Sequence, residues 1–595
     1  MAESIPITDS LNLASIRTNV WQDRRLAKSD IRQVYALDTE TDQNGDIFLI
    51  ADSEGRYLDK ITPESCLKWL FSKRYQGTWN FFYNITFDAE VILKLLGDNL
   101  YSYKISRKLR FKFDDYTIEY FPSKKLAIRK GHHSTVFFDI AQYYHASLVN
   151  AYQSNIRKLD SKYLETKQKQ SSFSKWFFRD NKKLVTEYCI IDCKLTKELA
   201  EHWINLFDLA FGFYPQRWIS SGYLAEKVLI NNKIPIPKFD EIPYKIQEFA
   251  WNCYYGGRFE ILKRGFIGSA YLYDINSAYP YVLANIPDIT KGRWVRRKSI
   301  NPDSSLGFFK IECDIPDCKY IPPFPFRING KIIFPSGRFQ TFCTLAELKA
   351  CEDTSFYKIL DSWQFVTSNP SYPYKEFVED IYNKRLQLKQ EKNPLQLPLK
   401  IILNSIYGKT AQRVKGRIGN LFCPVIASTI TGTTRAMLYD FVIRHGIERD
   451  VISFATDSII TSEKIDVNST ELGGFALENS GSDVYVLQNG IYRFNGKWKK
   501  RGIGNLGKKP IEHLDTLEKD GKLYQVFNLL RVNRLRTAIL SDTIDQIGKF
   551  KTVERLVNLN ADRKRLWFKE IKNVKDKIMI DSMPISMNYF DKNQV

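Results

Sequence analysis

The sequence predicts a multidomain chain, with an α/β part first and α+β parts after it. Three observations lead there. At 595 residues the chain exceeds the roughly 250–300 residues over which one core keeps growing. From "VYALDTETD" to about residue 215, apolar runs of strand length alternate with helical ones, which is the α/β pattern. From about residue 266 the pattern turns strand-rich, with helical spacing over 375–409 and a strand pair at 450–463.

Composition narrows the partners. The 88 Lys+Arg against 67 Asp+Glu give a formal charge of +21, and 14% of residues are aromatic. Such a chain suits a polyanion with stackable bases. The nine cysteines are scattered. Cys189 with Cys193, and Cys313 with Cys318, lack a second pair at zinc spacing. Reduced thiols and an intracellular location are expected. No signal-peptide core and no run near the roughly 18 residues of a membrane helix is found, so no membrane partner is expected. The histidines form no H-E-x-x-H; His132 and His133 read as a polar turn. Metal chemistry is therefore expected to use oxygen ligands.

Taken in order, residues 1–30 are polar and peripheral. "YALDTETD" is an apolar run ending in acids. On a strand, residues two apart face one side, so Asp38 and Glu40 project together and suit Mg²⁺ or Mn²⁺. "FFYNITFDAEVIL" supplies Asp88, with Asn84 four residues earlier. "VTEYCIIDCKL" supplies Asp192, with Tyr188 on the same helical face. Each cluster alone is commonplace: an Asp-x-Glu ends many solvated strands, and Asp192 could pair with Lys194. A Gly- and aromatic-rich joint, "WNCYYGGRFE", spans 251–260; adjacent glycines let backbone bend or approach closely.

Beyond the joint, "YLYDINSAYPYVL" places Asp274 after apolar residues, then Ser277, Tyr279 and Pro280. "PLQLPLKIILNSIYGKT" reads as a helix, with Pro398 suited to its first turn and Gly408 near its end. Lys400, Asn404 and Tyr407 fall on one face, and would suit phosphates and a sugar–base edge. "VISFATDSIITS" is two β-branched runs about a tight turn, which puts Asp457 at a hairpin tip. Asp274 and Asp457 could then bind two Mg²⁺ ions about 3.5–4 Å apart, the usual two-metal spacing. Phosphoryl transfer needs mainly such positioning and charge compensation.

The order D-x-E, N-x3-D, Y-x3-D resembles the three exonuclease motifs of proofreading DNA polymerases. D-x-x-S-x-Y-P, K-x3-N-S-x-Y-G and T-D-S resemble motifs A, B and C of family B DNA polymerases. Six motifs thus stand in the family's order, from residue 38 to residue 458. The modest length and "YYGG" resemble the protein-primed branch of phages, adenoviruses and linear plasmids. The resemblance implies an RNase H-like exonuclease domain followed by a right-hand polymerase of palm, fingers and thumb. The implied divisions are an N-terminal extension (1–30), the exonuclease (31–215) and a connecting segment with the Y-x-G-G motif (216–265). They continue with palm carrying a terminal-protein-binding insertion (266–374), fingers (375–435), palm (436–500) and thumb (501–595).

It also implies roles. Asp38, Glu40, Asp88 and Asp192 would hold two metals, with Tyr188 orienting water and Lys167 as the exonuclease lysine. Asp274, Ile275 and Asp457 would hold two Mg²⁺ or Mn²⁺ ions in the palm. Tyr279 would pack under the sugar and exclude ribonucleotides, with Ser277 beside it. Lys400 would contact phosphates, Lys384 or Arg385 adding a second contact, and Asn404 and Tyr407 would shape the nascent-pair pocket. Tyr254, Gly256, Gly257, Asn84, Ser147, Leu148, Tyr492 and Lys499 would touch DNA. The implied partners are primer–template DNA, dNTPs and a terminal priming protein, with a monomeric chain.

Three departures stand out. Motif C has Ala455 where the family usually has a first aspartate. The later K-x-Y reads "GIY", ending at Tyr492, and "KWKKRG" at 497–502 would have to supply the lost charge. Only about 45 residues separate "YGK" from "FATDS", so the branch's strand-displacement insertion is expected to be short or absent. The basic "ADRKRLWFKEI" near the C-terminus is read as thumb gripping duplex backbone, or as a solvated helix face. Two rivals remain. One is a DNA-binding relative that does not synthesise, favoured by Ala455. The other is a nuclease whose C-terminal half holds substrate, opposed by Asp274, Lys400 and Tyr407.

Overall fold

Two β-sheets carry the acids, one in each half of the chain. The computed structural model describes residue 22 and residues 28–170, 173–414, 417–501, 516–519, 522–573 and 575–589. Most of the extension expected over 1–30, and residue 502 of "KWKKRG", lie outside the described residues.

The first sheet has eight strands. At its centre Val34–Thr41 runs antiparallel to Ile47–Asp52 and parallel to Trp79–Phe82, which is parallel to His133–Asp139. Alternation sorts its side chains. Leu49 and Ala51 face the long helix Lys182–Phe211 through Val185, Cys189 and Cys193. Leu37 and Ile50 pack with Ile85, Ala89 and Ile92 of the helix Ile85–Lys94. A central strand buried on both faces is what a βα-layered domain requires. The long helix ends at Gly212, whose φ of 70° is the left-handed cap that glycine adopts without strain.

The second sheet is built on the thirteen-residue strand Lys263–Ile275. Its order is Arg258–Ile261, Val451–Thr456, Ser458–Thr461, Lys263–Ile275, Phe475–Gln488, Ile491–Phe494, Lys497–Lys500, with Met579–Pro584 also pairing on Lys263–Gly265. The sheet therefore begins at Arg258, and a division at 265/266 falls inside its main strand. The helix Pro424–Arg444 backs it, Leu438, Phe441 and Val442 packing on Val451, Phe454 and Ile459. The helices Lys375–Gln390 and Gln396–Thr410 stand beside it, with Pro398 in the first turn of the second. Pro280 likewise sits in the first turn of the helix Ala278–Ala284.

Between Asp274 and these helices lies a separate four-stranded sheet, ordered Arg293–Arg296, Tyr357–Val366, Ser304–Ile315, Gly337–Thr344. In contrast, the span from Thr410 to Val451 holds two-residue strands at 413–414 and 417–418 and the helix Pro424–Arg444 among the described residues. No inserted domain stands there among them.

The C-terminal basic stretch corrects an expectation. Arg565 lies on the strand Arg565–Trp567, not on a helix, and is 2% exposed. Its Nη1 donates to Glu260 Oε1 at 3.1 Å and its Nε to Ser582 Oγ at 2.8 Å. Arg258 donates to the other Glu260 oxygen at 2.8 Å. Two guanidiniums on one buried carboxylate take this arginine away from any phosphate. Burial alone would raise the Glu260 carboxyl; Arg258 and Arg565 outweigh it and hold it below its ordinary range. A further C-terminal helix, Leu535–Leu540, packs into the first domain's core, and Leu535 N donates to Glu90 Oε2 at 3.1 Å.

Removing one partner of a buried pair strands the others' charge. Glu260→Ala should therefore cost about 3–5 kcal/mol in urea unfolding followed by tryptophan fluorescence. A loss under about 1 kcal/mol would mean the cluster is not the clamp described here.

Candidate active sites

The strand Val34–Thr41 aims Asp38 and Glu40 at the helix Lys182–Phe211, and Asp88 reaches in from the helix Ile85–Lys94. Asp88 Oδ1 accepts from Thr39 N at 3.2 Å and Thr39 Oγ1 at 2.7 Å. Asp192 gathers three donors: Tyr163 OH at 2.5 Å, Lys167 Nζ at 2.6 Å and Tyr188 OH at 2.9 Å. Glu40 Oε2 accepts from Gln170 Nε2 at 3.4 Å, while Oε1 is buried with no hydrogen-bond partner. Tyr163, Lys167 and Gln170 follow i, i+4, i+7 spacing from the helix Ser161–Lys169 into its cap.

Charge explains the site's appetite. Burial, then Asp88 and Asp192, hold the Asp38 carboxyl well above its ordinary range. Burial, then Asp192, push Glu40 up to about 8. Burial raises Asp88 to about 7 against the Thr39 hydrogen bonds. One ammonium, Lys167, does not neutralise four acids. A divalent cation on hard oxygens fits this set, and the orphaned Glu40 Oε1 offers it a ready ligand.

The sequence pattern singled out Asp38, Glu40, Asp88, Asp192 and Tyr188, and the resemblance added Lys167; the fold brings all six together. The contacts of Thr39, Tyr163 and Gln170 with these acids had no such signal. Asn84 is exposed at the cap of the helix Ile85–Lys94, with φ 61° and its N donating to Asp139 Oδ1 at 3.0 Å. Ser147 caps the helix Leu148–Asn155 by accepting from Asn150 N at 3.4 Å, and Leu148 is packed into the core.

At the second centre the antiparallel register puts Asp274 opposite Ser458, and Ile275 N donates to Asp457 O at 3.0 Å. The Ile275 side chain is buried, so only its carbonyl could serve a cation. The turn is tight: Thr456 has φ 73° and Asp457 N donates to Ala455 O at 2.9 Å. Burial, then Asp457 and Glu478, raise Asp274 to about 7; burial also raises Asp457. Glu478 had no motif to announce it. Leu272 lies opposite Asn479 but Tyr273 opposite Leu477, so Glu478 is the extra residue of a β-bulge. Lys499 faces Tyr492 across a hairpin, its Nζ 5.4 Å from the ring centre. The Tyr492 hydroxyl, then Glu478 and Asp274, raise its pKa against burial.

Beside these acids three tyrosines from distant segments meet. The Tyr279 and Tyr407 rings lie 4.4 Å apart, and the Tyr407 and Tyr254 hydroxyls are 2.7 Å apart. A side chain at Gly257 would put its Cβ 2.9 Å from Thr456 Cγ2 and 3.0 Å from Thr456 Cα, so only glycine lets the joint abut the Asp457 turn. Arg435, buried and paired with Glu347 at 2.8 Å, also donates to Gly256 O. Ser277 takes the left-handed conformation, φ 50°, before the helix Ala278–Ala284. Lys400 and Asn404 are exposed on one face of the helix Gln396–Thr410. Lys384 is exposed, while Arg385 is half-buried with Nε lacking a partner.

An RNase H-like domain with one carboxylate centre, joined to a palm, fingers and thumb with a second, defines a right-hand polymerase of nucleic acid. The profile described as DNA polymerase type B, organellar and viral, matches residues 74–419. The chain belongs to that family, and it is a DNA-directed DNA polymerase. A DNA polymerase of Acidianus bottle-shaped virus (isolate Italy/Pozzuoli) is 27% identical over 83% of this chain and 79% of its own. The primer-independent DNA polymerase PolB of Escherichia coli is 24% identical over 37% of this chain and 28% of its own. Phi29 DNA polymerase, solved with primer-template DNA and incoming nucleotides, superposes with TM-score 0.60 at 14% identity. The match covers 89% of this chain and all of that one, a likeness of fold.

A carboxyl whose folded pKa is raised favours folding below its unfolded pKa and loses that contribution as pH rises through the folded value. For Glu40 the window runs from about 4.5 to about 8. Metal-free protein should thus lose more melting temperature across this window than Glu40→Gln does. Saturating Mg²⁺ should shrink the difference; equal slopes without metal would contradict the assignment.

Proposed function

We propose that the chain copies DNA at the Asp274–Asp457 centre with two divalent cations, Mg²⁺ or Mn²⁺. The Asp38–Glu40–Asp88–Asp192 centre then edits as a 3′→5′ exonuclease, within protein-primed replication of a viral or linear-plasmid genome. The observation that carries it is the main-chain bond from Ile275 to Asp457, which seats the Asp457 turn beside the strand that bears Asp274. The family membership and the order of all six motifs support the same reading.

In the palm, Asp274, Asp457 and the Ile275 carbonyl would hold the ions. Bound there, such cations lower the pKa of an attacking 3′-hydroxyl and offset the charge of the leaving pyrophosphate. The protein's own groups do the rest. Tyr279, held against Tyr407, would floor the sugar and leave no room for a 2′-hydroxyl. Lys400 and Asn404 present a cation and an amide to phosphates and base, with Lys384 or Arg385 beyond. Lys499 supplies positive charge beside Glu478 and Asp274, where the family's usual K-x-Y lysine is missing. In the first domain, Tyr163, Lys167 and Tyr188 fix Asp192, and Tyr188 would also orient the attacking water.

The divisions proposed are exonuclease to residue 215, a connecting segment to 257, palm with its insertion from Arg258 to 374, fingers to 435, palm to 500 and thumb beyond, with the strand Met579–Pro584 returning to the palm sheet. The four-stranded sheet between Asp274 and the fingers is a natural seat for a terminal protein. The Escherichia coli relative's name, primer-independent, adds weight to initiation without a DNA primer. A monomeric, intracellular enzyme is in keeping with this role. Ala455 favours one other reading, a DNA-binding relative that does not synthesise; primer extension with Mg²⁺ and with Mn²⁺ separates the two.

Asp457→Asn should cut nucleotide incorporation by roughly a thousandfold or more while single-strand degradation persists. Asp38→Ala with Glu40→Ala should do the reverse. Parental incorporation by Asp457→Asn would sink the palm assignment. For initiation, labelled dNTP is incubated with a candidate terminal protein, with and without an oligonucleotide. Label on the protein is the expected result, and label only on the oligonucleotide would refute protein priming.

A further inference from the structure

The Asp38–Glu40 centre contains a ligand atom for which a hard cation has no use. Cys189 stands three residues before Asp192 on the helix Lys182–Phe211, a spacing that shares one face. Its Sγ lies 3.9 Å from Asp38 Oδ2 and 3.7 Å from the Asp38 carbonyl oxygen. Ligand atoms of Asp38, Glu40 and Cys189 all lie within 4.8 Å of one another. A separate observation points to a cation. Glu40 is 2% exposed, yet its Oε1 has no hydrogen-bond partner. A buried carboxylate oxygen left without a donor is costly unless a cation engages it. Cys193, one turn on, is placed otherwise: its Sγ is 3.3 Å from the Ala51 carbonyl oxygen.

We propose that Cys189 completes, with Asp38 and Glu40, a site for a thiophilic divalent cation of the Zn²⁺ class. This rests on reading the centre as the metal site of an exonuclease. Mg²⁺ and Mn²⁺ favour oxygen ligands, whereas borderline cations take thiolate, carboxylate and imidazole together. On coordination a metal–sulfur bond forms and the S–H bond breaks; the proton passes to solvent and no electrons are transferred. The palm centre offers no such sulfur among the described residues, so Zn²⁺-class ions discriminate between the two centres. A thiophilic ion would occupy the editing site while synthesis continues on hard ions.

The test uses the full chain, stripped of metal, in a Cys318→Ser background that removes the one exposed cysteine among the nine. Cd²⁺ is titrated as the probe, and sulfur-to-metal charge-transfer absorption in the ultraviolet is read. A one-thiolate band saturating at one equivalent is expected, lost in Cys189→Ala and kept in Cys193→Ala. No band in the background protein, or an unchanged band in Cys189→Ala, overturns the proposal. Should circular dichroism show Cys189→Ala unfolded, Asp38→Asn decides: apparent Cd²⁺ affinity must fall roughly tenfold or more, and unchanged affinity overturns it. Mg²⁺-dependent degradation of a single-stranded oligonucleotide is measured in parallel. Degradation without the band rejects the cysteine ligand and keeps the nuclease. The band without degradation keeps the ligand and rejects the nuclease.

Discussion

Like charges are buried side by side in both halves of this protein, and backbone pairing is what forces them together. Asp274 and Asp457 repel each other, and burial makes the repulsion stronger. Antiparallel hydrogen bonds between Lys263–Ile275 and Ser458–Thr461 leave neither acid a way to retreat. The sheet resists because its back is filled by the helix Pro424–Arg444 and its edge strand is clamped by Glu260 between Arg258 and Arg565. The same logic holds in the first domain, where a strand interior to an eight-stranded sheet presents Asp38 and Glu40 to a thirty-residue helix. In both places packing holds like charges close together at an electrostatic cost, which raises the pKa of Asp38, Glu40 and Asp274.

The two centres are not independent bodies on a string. The helix Leu535–Leu540, from the C-terminal part, enters the first domain's core, and its Leu535 N donates to Glu90, two residues beyond Asp88. The joint at 251–260 touches everything that matters around Asp457: Tyr254 bonds Tyr407, Gly257 abuts Thr456, and Arg435 ties Gly256 to Glu347. A displacement of the finger helix Gln396–Thr410 would be felt at the joint through one phenol pair. That contact physically couples the helix carrying Lys400 and Asn404 to the segment that joins the two halves of the chain.

Much of the chemistry was legible before folding, because acids at strand ends and on helix faces follow short local periods. Asp38 with Glu40, Tyr188 with Asp192, and Lys400 with Asn404 and Tyr407 are all such pairs. What was not legible depends on partners far away in sequence. Cys189 looked like one of nine scattered thiols until the helix laid it against Asp38. Glu478 acquires its place from a register break in pairing with Leu272 and Tyr273. Tyr163 and Gln170 matter only because Asp192 and Glu40 lie opposite. Arg565 looked like a phosphate contact, and pairing with Glu260 over 300 residues away turned it inward.

The sequence by itself determined which side chains are on offer: acids that pair on strands and helix faces, an excess of basic residues, and a helix face carrying Lys400, Asn404 and Tyr407. Periodicity is a local property, and local properties can be read from a string. Only the tertiary structure decided which acids lie side by side and which basic side chains face solvent. It also decided that the Cys189 sulfur lies 3.9 Å from Asp38 Oδ2. Those outcomes turn on strand register and on cross-chain ion pairing, and both are set by which distant segments bury one another.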